Sequence, residues 1–140
     1  MSGERPEISV VVPCLDADKY LPEALNSIRK QGFAGLQVVV VDDGSRVSPE
    51  PAVRAVFPDA EFVRQANRGP SAARNLALKK ARGAFIAFLD ADDRWPDTAV
   101  ARLLKGFANA PAADVVQGAV RRFWEASGAS GTDPRNAAPA

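Results

Sequence analysis

The sequence contains no histidine and only one cysteine, Cys14. Without histidine, every mechanism that depends on an imidazole as base, acid or metal ligand is excluded. A single cysteine also excludes a disulfide within the chain and a cysteine-based zinc site, and it suits a reducing cytoplasm. Any metal must therefore be held by carboxylates, and any general base must be Asp, Glu or a rarer group.

The sequence also lacks an excess of charge of either sign, since 18 Lys and Arg residues nearly balance 17 Asp and Glu residues. No basic cluster is interleaved with aromatic residues, so the electrostatic signature of a nucleic-acid-binding protein is missing. The polar start Met1–Glu7 shows no signal peptide, and no apolar run reaches the length of about 20 residues that a transmembrane helix needs. We therefore expect a cytoplasmic chain, at most associated with the inner face of a membrane, that does not bind nucleic acid.

The composition that is present is that of a folded domain. Hydrophobic residues make up 46% of the chain and charged residues 25%, which is typical of soluble globular proteins. A length of 140 residues fits one domain. The last stretch, Ala126–Ala140, is rich in Ala, Gly, Ser and Pro and has no periodicity. We therefore predict a domain over residues 1–125 and a flexible tail or cut linker over residues 126–140.

Strand-like and helix-like segments alternate along the chain. Short β-branched runs predict strands, and apolar residues that recur every three or four positions predict helices. The predicted strands are Ile8–Pro13, Leu36–Val41, Glu61–Arg64, Ala84–Leu89 and Val115–Val120. The predicted helices run from Tyr20 to Gln31, from Ser48 to a point before Pro58, from Gly69 to Lys80, and from Pro96 past Phe107. This order predicts an α/β fold with a mostly parallel sheet and helices on both faces.

Polar residues follow three of the predicted strands, in the segments Pro13–Asp18, Asp42–Ser45 and Asp90–Asp93. Parallel sheets bind ligands beyond the carboxyl ends of their strands, and these three loops should meet there. Taken alone, Asp-Asp-Gly-Ser is also a common turn composition. The prediction of a site rests on the joint placement of the loops.

The segment Asp90–Asp93 places three carboxylates within four residues. Such crowding is unfavourable unless a cation or hydrogen-bond donors offset the repulsion. Magnesium or manganese would offset it, because both prefer oxygen ligands and accept one or two carboxylates together with substrate phosphates. In the alternative interpretation, Asp93 caps the helix that begins near Pro96, and the other carboxylates are simply solvated.

Five segments, taken in order, resemble the successive motifs of family-two glycosyltransferases. They are Ile8–Pro13 (ISVVVP), Leu21–Gln31 (LPEALNSIRKQ), Val38–Ser45 (VVVVDDGS), Asn67–Asn75 (NRGPSAARN) and Gly83–Asp93 (GAFIAFLDADD). The resemblance implies a GT-A, Rossmann-like fold, truncated after about the fifth strand. It also implies a hexosyltransferase-like enzyme of cell-surface polysaccharide biosynthesis, whose donor is a nucleoside-diphosphate sugar, commonly a UDP-sugar, bound with Mn²⁺ or Mg²⁺. The acceptor would be a saccharide, a lipid-linked molecule or a protein.

The resemblance also implies roles for individual residues. Pro13 and Leu15 match the wall of the nucleoside pocket, and Asp43 matches the position that hydrogen-bonds the base. Arg74 matches a basic position near the base and diphosphate, although an ordinary ion pair on a helix surface is an alternative interpretation. Asp90 matches the first carboxylate of the Asp-X-Asp motif, near the ribose and sugar. Asp92 matches the metal ligand.

The chain departs from the family pattern at several positions. Leu15 and Asp16 stand where the family usually has an aromatic residue and then asparagine, so base stacking is in doubt, and Asp16 adds an acid that is unfavourable near a diphosphate unless it points away. Ala77 stands where glycine is frequent. Trp95 and Phe88 are expected to pack in the core and not to stack on a ligand.

The sequence after Val120 does not resemble the family's second half, which carries the acceptor site and the general base of inverting members. Glu125 and Asp133 lie there without a recognisable motif, so the base stays unknown. Two hypotheses remain: the donor-binding half of an inverting glycosyltransferase, or a non-catalytic nucleotide-sugar-binding or interaction module. A phosphoreceiver domain is disfavoured, because Gln65-Ala66-Asn67 stands where that domain needs a phospho-accepting Asp after the third strand.

Overall fold

The computed structural model describes residues 5–123, so the predicted tail at 126–140, Glu125 and Asp133 lie outside the described residues. Strands and helices alternate as the periodicity predicts. The order is β1 (Ile8–Cys14), α1 (Leu21–Arg29), β2 (Leu36–Asp42), α2 (Glu50–Val56), β3 (Glu61–Arg64), α3 (Pro70–Lys80), β4 (Phe85–Phe88) and α4 (Ala99–Asn109). None of these helices has the length and apolar character that crossing a bilayer requires.

The four strands form one sheet in the order β3-β2-β1-β4, and all neighbouring pairs are parallel. The chain moves outward from β1 through β2 to β3 and then crosses back to place β4 on the other side of β1. The predicted parallel sheet is confirmed, and the predicted strand Glu61–Arg64 forms one edge of it as β3. The order reverses between β1 and β4, which is where doubly wound sheets open a crevice for ligands.

Both faces of the sheet are covered by helices, because alternate valines of each strand point to opposite sides. Val10 and Val12 belong to a core formed with α1, α2 and α4. Val11 packs on the other side against Ala73 and Ala77 of α3. Ala77 is fully buried there, so the alanine that replaces the family's frequent glycine fits under the helix.

A buried polar network fixes β4 at the amino end of the sheet. The Ser9 hydroxyl accepts the Gly83 N–H at 2.8 Å and donates to Gln37 Oε1 at 2.6 Å. A Cβ atom on Gly83 would lie 2.4 Å from the Ser9 backbone nitrogen, so only glycine fits at this crossing. The network sets the start of the strand that ends at Asp90.

The prediction of a fifth strand at Val115–Val120 is wrong. These residues form no strand, and the side chains of Val115 and Val120 are 82% and 83% exposed. Val116 instead lies against α4, where its Cγ1 atom is 2.6 Å from the position that a Cβ atom on Gly106 would take. A β-branched run becomes a strand only where a sheet edge supplies hydrogen bonds. Within residues 5–123 this segment finds no such edge and lies against α4 instead.

The packing predictions for Trp95 and Phe88 have different outcomes. Trp95 packs against the core beneath α1, as expected. Phe88 is 50% exposed, so it is not a core residue. Phe88 pairs in register with Val11 and points to the same face, but α3 packs against β1 and β2 and leaves this face of β4 partly exposed.

Candidate functional site

The three polar loops meet at the carboxyl edge of the sheet, as predicted. The ladder between β1 and β2 continues into the loops, because the Asp43 N–H donates to the Cys14 carbonyl at 2.9 Å. On the other side of β1, the Leu89 N–H donates to the Val11 carbonyl at 3.0 Å and brings Asp90 to the same edge. The loops therefore lie at the carboxyl edge of the sheet near the point between β1 and β4 where the strand order reverses, which is where such sheets bind ligands.

Asp42 is the fully buried anchor of the loop after β2. Its Oδ1 atom accepts hydrogen bonds from both the backbone N–H and the hydroxyl of Ser45. Its Oδ2 atom has no hydrogen-bond partner and lies 3.5 Å from Arg64 Nε. The charge of Asp42 is thus balanced inside the protein, which makes it a structural residue of the turn.

Asp43 is buried, with 3% of its surface exposed, and its carboxylate binds the loop before α3. Its Oδ1 atom accepts the Arg68 N–H and the Gln65 side-chain amide, both at 2.8 Å, and its Oδ2 atom accepts the Gly69 N–H at 2.9 Å. The hydrogen bond from the Arg68 N–H and that from Gln65 hold the pKa of Asp43 below its usual value, against the effect of burial. Asp43 is therefore a fixed anion at the edge of the sheet.

Arg74 and Asp90 form an ion pair that joins α3 to the loop after β4. The Nη2 atom of Arg74 lies 2.8 Å from Asp90 Oδ1, and both side chains are partly exposed. Arg74 thus makes the ion pair of the alternative interpretation, with a predicted site residue as its partner, and its predicted contact with a base or diphosphate stays a prediction. The pair lies at the carboxyl edge of the sheet, where a ligand could reach both groups.

Asp90, Asp92 and Asp93 form a compact acidic cluster. One carboxylate oxygen from each lies within 4.8 Å of the others, and Asp92 and Asp93 are exposed. Partial desolvation of its carboxyl group, together with the charges of Asp92 and Asp90, raises the pKa of Asp93. A set of crowded oxygen ligands at this spacing fits Mn²⁺ or Mg²⁺.

The alternative interpretation of Asp93 as a helix cap is wrong. Helix α4 begins at Ala99, with Thr98 before it, and no side chain of these cap residues makes a capping bond. The Val100 N–H at the start of α4 is instead bound by Gln31 Oε1 at 3.0 Å, from the end of α1. The free N–H at the start of α4 is thus bound by a neighbouring element, and Asp93 is part of the acidic cluster and not of the helix cap.

Pro13 and Leu15 flank Cys14 at the end of β1. Pro13 is buried, whereas Leu15 is 44% exposed at the edge of the sheet. Burial, together with the charges of Asp42 and Asp43, raises the pKa of the Cys14 thiol to about 12. Cys14 therefore stays protonated at neutral pH and is not a nucleophile.

Sequence reasoning missed three residues of this edge: Gln65, Ser45 and Arg64. Gln65 bonds Asp43, and Ser45 bonds Asp42, while Arg64 reaches both Asp42 and the Ser45 carbonyl. Gln65 and Arg64 lie at the end of β3, so the rule that sites collect at strand ends could have included them. Nothing in the local pattern marks Ser45 as a bridge between two loops.

The chain matches the model of the family "Glycosyl transferase family 2" over residues 9–134. Among curated relatives, it is 37% identical over 93 residues to the putative glycosyltransferase EpsH of Bacillus subtilis, which covers 64% of this chain and 27% of that protein. The chain thus spans about a quarter of the length of that relative.

Two solved structures have a similar fold. S. aureus TarS, solved in complex with UDP-GlcNAc, has a TM-score of 0.67 and 34% identity over 74% of this chain and 31% of that chain. The mannosyltransferase PcManGT from Pyrobaculum calidifontis, solved with GDP-Man and Mn²⁺, has a TM-score of 0.66 and 32% identity over 76% of this chain and 33% of that chain. The predicted GT-A architecture is confirmed, and the chain belongs to glycosyl transferase family 2.

Proposed function

We propose that this chain is the donor-binding part of a glycosyltransferase that transfers a sugar from a nucleoside-diphosphate sugar, with UDP as the expected nucleotide, to an acceptor hydroxyl. The observation that carries the proposal is that the Arg74–Asp90 pair and the acidic cluster lie together at the carboxyl edge of the sheet, where the strand order reverses between β1 and β4. The complexes of TarS with UDP-GlcNAc and of PcManGT with GDP-Man and Mn²⁺ support it, because both neighbours have a similar fold.

The nucleoside is proposed to lie over the ends of β1 and β2. Pro13 and the exposed Leu15 form one wall, and Asp43 accepts an N–H of the base. A carboxylate has about four acceptor sites, and three N–H groups of the protein already occupy Asp43. One site remains, which suits a single N–H donor from a base edge.

The diphosphate and sugar are proposed to lie toward β4. Arg74 contacts the phosphate side while it holds Asp90 beside the ribose and sugar, and Asp92 is the protein ligand of the metal. Bound Mn²⁺ or Mg²⁺ would neutralise charge on the diphosphate. The guanidinium of Arg74 suits phosphate because its N–H groups form a planar fork.

The proposed reaction inverts the anomeric carbon. The acceptor oxygen forms a bond to that carbon on the face opposite the diphosphate, while the bond from the carbon to the diphosphate oxygen breaks. The electron pair stays on the departing nucleoside diphosphate, where Arg74 stabilises the charge that develops. The hydroxyl proton passes to a general base that is not among the residues assigned above.

A non-catalytic nucleotide-sugar-binding module is the second candidate, and Leu15 in place of the family's aromatic residue favours it. The two are separated by measuring UDP release from UDP-GlcNAc and other UDP-sugars, with Mn²⁺ and a panel of glycoside acceptors, on this chain and on the chain extended by any downstream reading frame. Acceptor-dependent release by either form supports the enzyme. Tight UDP-sugar binding without release by both forms supports the binding module.

A further inference from the structure

Asp16 adopts a backbone conformation that is unusual for a residue with a side chain. Its φ angle is +47°, and within residues 5–123 every other positive φ angle belongs to a glycine. The left-handed region is unfavourable for most residues, but Asp and Asn tolerate it because their short polar side chains bond nearby backbone groups. At Asp16 the side chain bonds a backbone group of another loop, the Arg46 N–H.

Asp16 and the loop after β2 are joined by a reciprocal pair of hydrogen bonds. The Asp16 N–H donates to Ser45 Oγ at 2.8 Å, and the Arg46 N–H donates to Asp16 Oδ1, also at 2.8 Å. Ser45 in turn donates its hydroxyl proton to the buried Asp42. The two hydrogen bonds between Asp16 and the loop after β2 are called here the loop clasp. Through Ser45, the loop clasp is connected to the buried Asp42.

The loop clasp also explains where the extra acid points. Asp16 Oδ1 is occupied by the Arg46 N–H, and the Arg46 guanidinium lies 3.7 Å away. The Arg46 side chain is 89% exposed, so its ion pair adds little, and the backbone bond is the fixed contact. The carboxylate is thus directed at the β2 loop.

The two loops that the clasp joins carry the two proposed contacts to the nucleoside. Leu15 directly precedes Asp16, and Asp43 lies just before Ser45 in the β2 turn. The N–H of Asp43 bonds the Cys14 carbonyl, so the loops leave the sheet side by side. Their separation beyond the sheet is set by the clasp.

We propose that Asp16 is a positioning residue for the nucleoside end of the donor, which it serves by holding the loop of Leu15 at a fixed distance from the loop of Asp43. This inference rests on the proposed function, because it assumes that a nucleoside lies between these loops. Asp16 itself does not touch the nucleotide. Removing the clasp should weaken contacts to the base and leave contacts to the diphosphate unchanged.

The test is calorimetric titration with UDP and with pyrophosphate, both in Mn²⁺, on the wild-type chain and on matched variants. Asp16→Ala removes the carboxylate and disfavours the positive φ, and should weaken UDP binding about tenfold, as expected when a base contact of about 1.4 kcal/mol is lost. Pyrophosphate binding should not change. Asp16→Asn keeps the acceptor and the backbone preference, so it should bind UDP as the wild type does. Asp18→Ala, an exposed acid in the same loop, is the control and should also match the wild type.

Several results would overturn the positioning role. Unchanged UDP binding by Asp16→Ala would do so, as would an equal loss for UDP and pyrophosphate, which would mark a general structural effect. Tighter binding of both ligands by Asp16→Asn would show that the carboxylate faces the diphosphate. If Asp16→Ala does not fold, Asp16→Gly keeps the backbone freedom without the carboxylate, and should also weaken UDP alone. A wild-type chain that binds neither ligand would instead refute the proposed function, and the positioning role with it.

Discussion

Arg74 of α3 holds Asp90 of the loop after β4, with its Nη2 atom 2.8 Å from Asp90 Oδ1. Helix α3 packs against β1 and β2, and β4 lies on the far side of β1 from β2, so this pair joins two separate parts of the fold at the carboxyl edge of the sheet. Both side chains are partly exposed, and an exposed ion pair by itself contributes less than about 1 kcal/mol to stability. We therefore expect the pair to matter for ligand binding more than for folding.

Arg74→Ala should weaken UDP binding about tenfold, because it removes a charge-assisted hydrogen bond to phosphate and leaves Asp90 without its ion-pair partner. Arg74→Lys should recover only part of this, since an ammonium lacks the planar fork. Arg82→Ala is the matched control, because it removes the Arg82–Glu61 pair at the opposite end of the sheet. UDP titration checks all three, and equal losses in Arg74→Ala and Arg82→Ala would argue against a site at Arg74.

Asp92→Asn should abolish the metal-dependent part of nucleotide binding, because an amide replaces the charged ligand. Asp93→Asn should keep most of that dependence. It should also stabilise the metal-free chain slightly, because Asp93 is crowded by Asp90 and Asp92 and does not cap α4. UDP titrations with and without Mn²⁺, together with thermal melts in chelator, measure both effects. The reverse pattern would move the metal ligand by one residue.

Leu15→Tyr tests the missing aromatic wall of the nucleoside pocket. Leu15 is 44% exposed, so a larger ring can be placed without disturbing the core. A ring that stacks on the base should tighten UDP binding by about 1 kcal/mol, the usual scale of such contacts. Pyrophosphate is the control ligand and should bind both forms equally. Unchanged UDP affinity would mean that the base does not lie at Leu15.

Gly83→Ala tests the anchor at the other end of β4. The new methyl group would meet the Ser9 nitrogen at 2.4 Å and the Ile8 carbonyl carbon at 2.7 Å, both of them backbone atoms that cannot move aside easily. We expect a loss of about 3 kcal/mol in the free energy of unfolding, from overpacking. Gly32→Ala is the control: its φ is +62° with no atom within 4 Å, so only backbone strain of about 1 kcal/mol is expected. Chemical denaturation compares the two variants.

The fold was predictable wherever local pattern and tertiary context agree. The run Ile8–Pro13 is buried on both sides in the structure, so its composition alone was enough to identify a strand. The run Val115–Val120 is also rich in valine but includes Gln117 and Gly118 and lacks a sheet partner, and sequence periodicity does not report partners. The start of α4 was likewise not predictable, because the acceptor for its Val100 N–H is Gln31, which is far away in sequence.

The candidate site was likewise predictable from the sequence only in part. Strand ends and acidic composition were enough to predict that the loops of Asp43 and Asp90 meet at one edge. The bonds within that edge were not predictable, because Gln65 on Asp43 and Asp16 on Ser45 depend on side-chain directions fixed only after the loops pack. The Asp16 carboxylate is the clearest example of an unpredictable direction. From the residue type alone its charge is expected to be unfavourable near a diphosphate, whereas the structure directs it at the loop after β2.

We have proposed that this edge of the sheet binds a nucleoside diphosphate together with a divalent metal. The decisive experiment is isothermal titration of the chain with UDP, once with Mn²⁺ and once with chelator. We expect binding to be at least about tenfold tighter with Mn²⁺, a difference of about 1.4 kcal/mol, because crowded carboxylates and a diphosphate repel each other without a cation between them. Equal affinity in the two conditions, or no binding in either, would be inconsistent with this proposal.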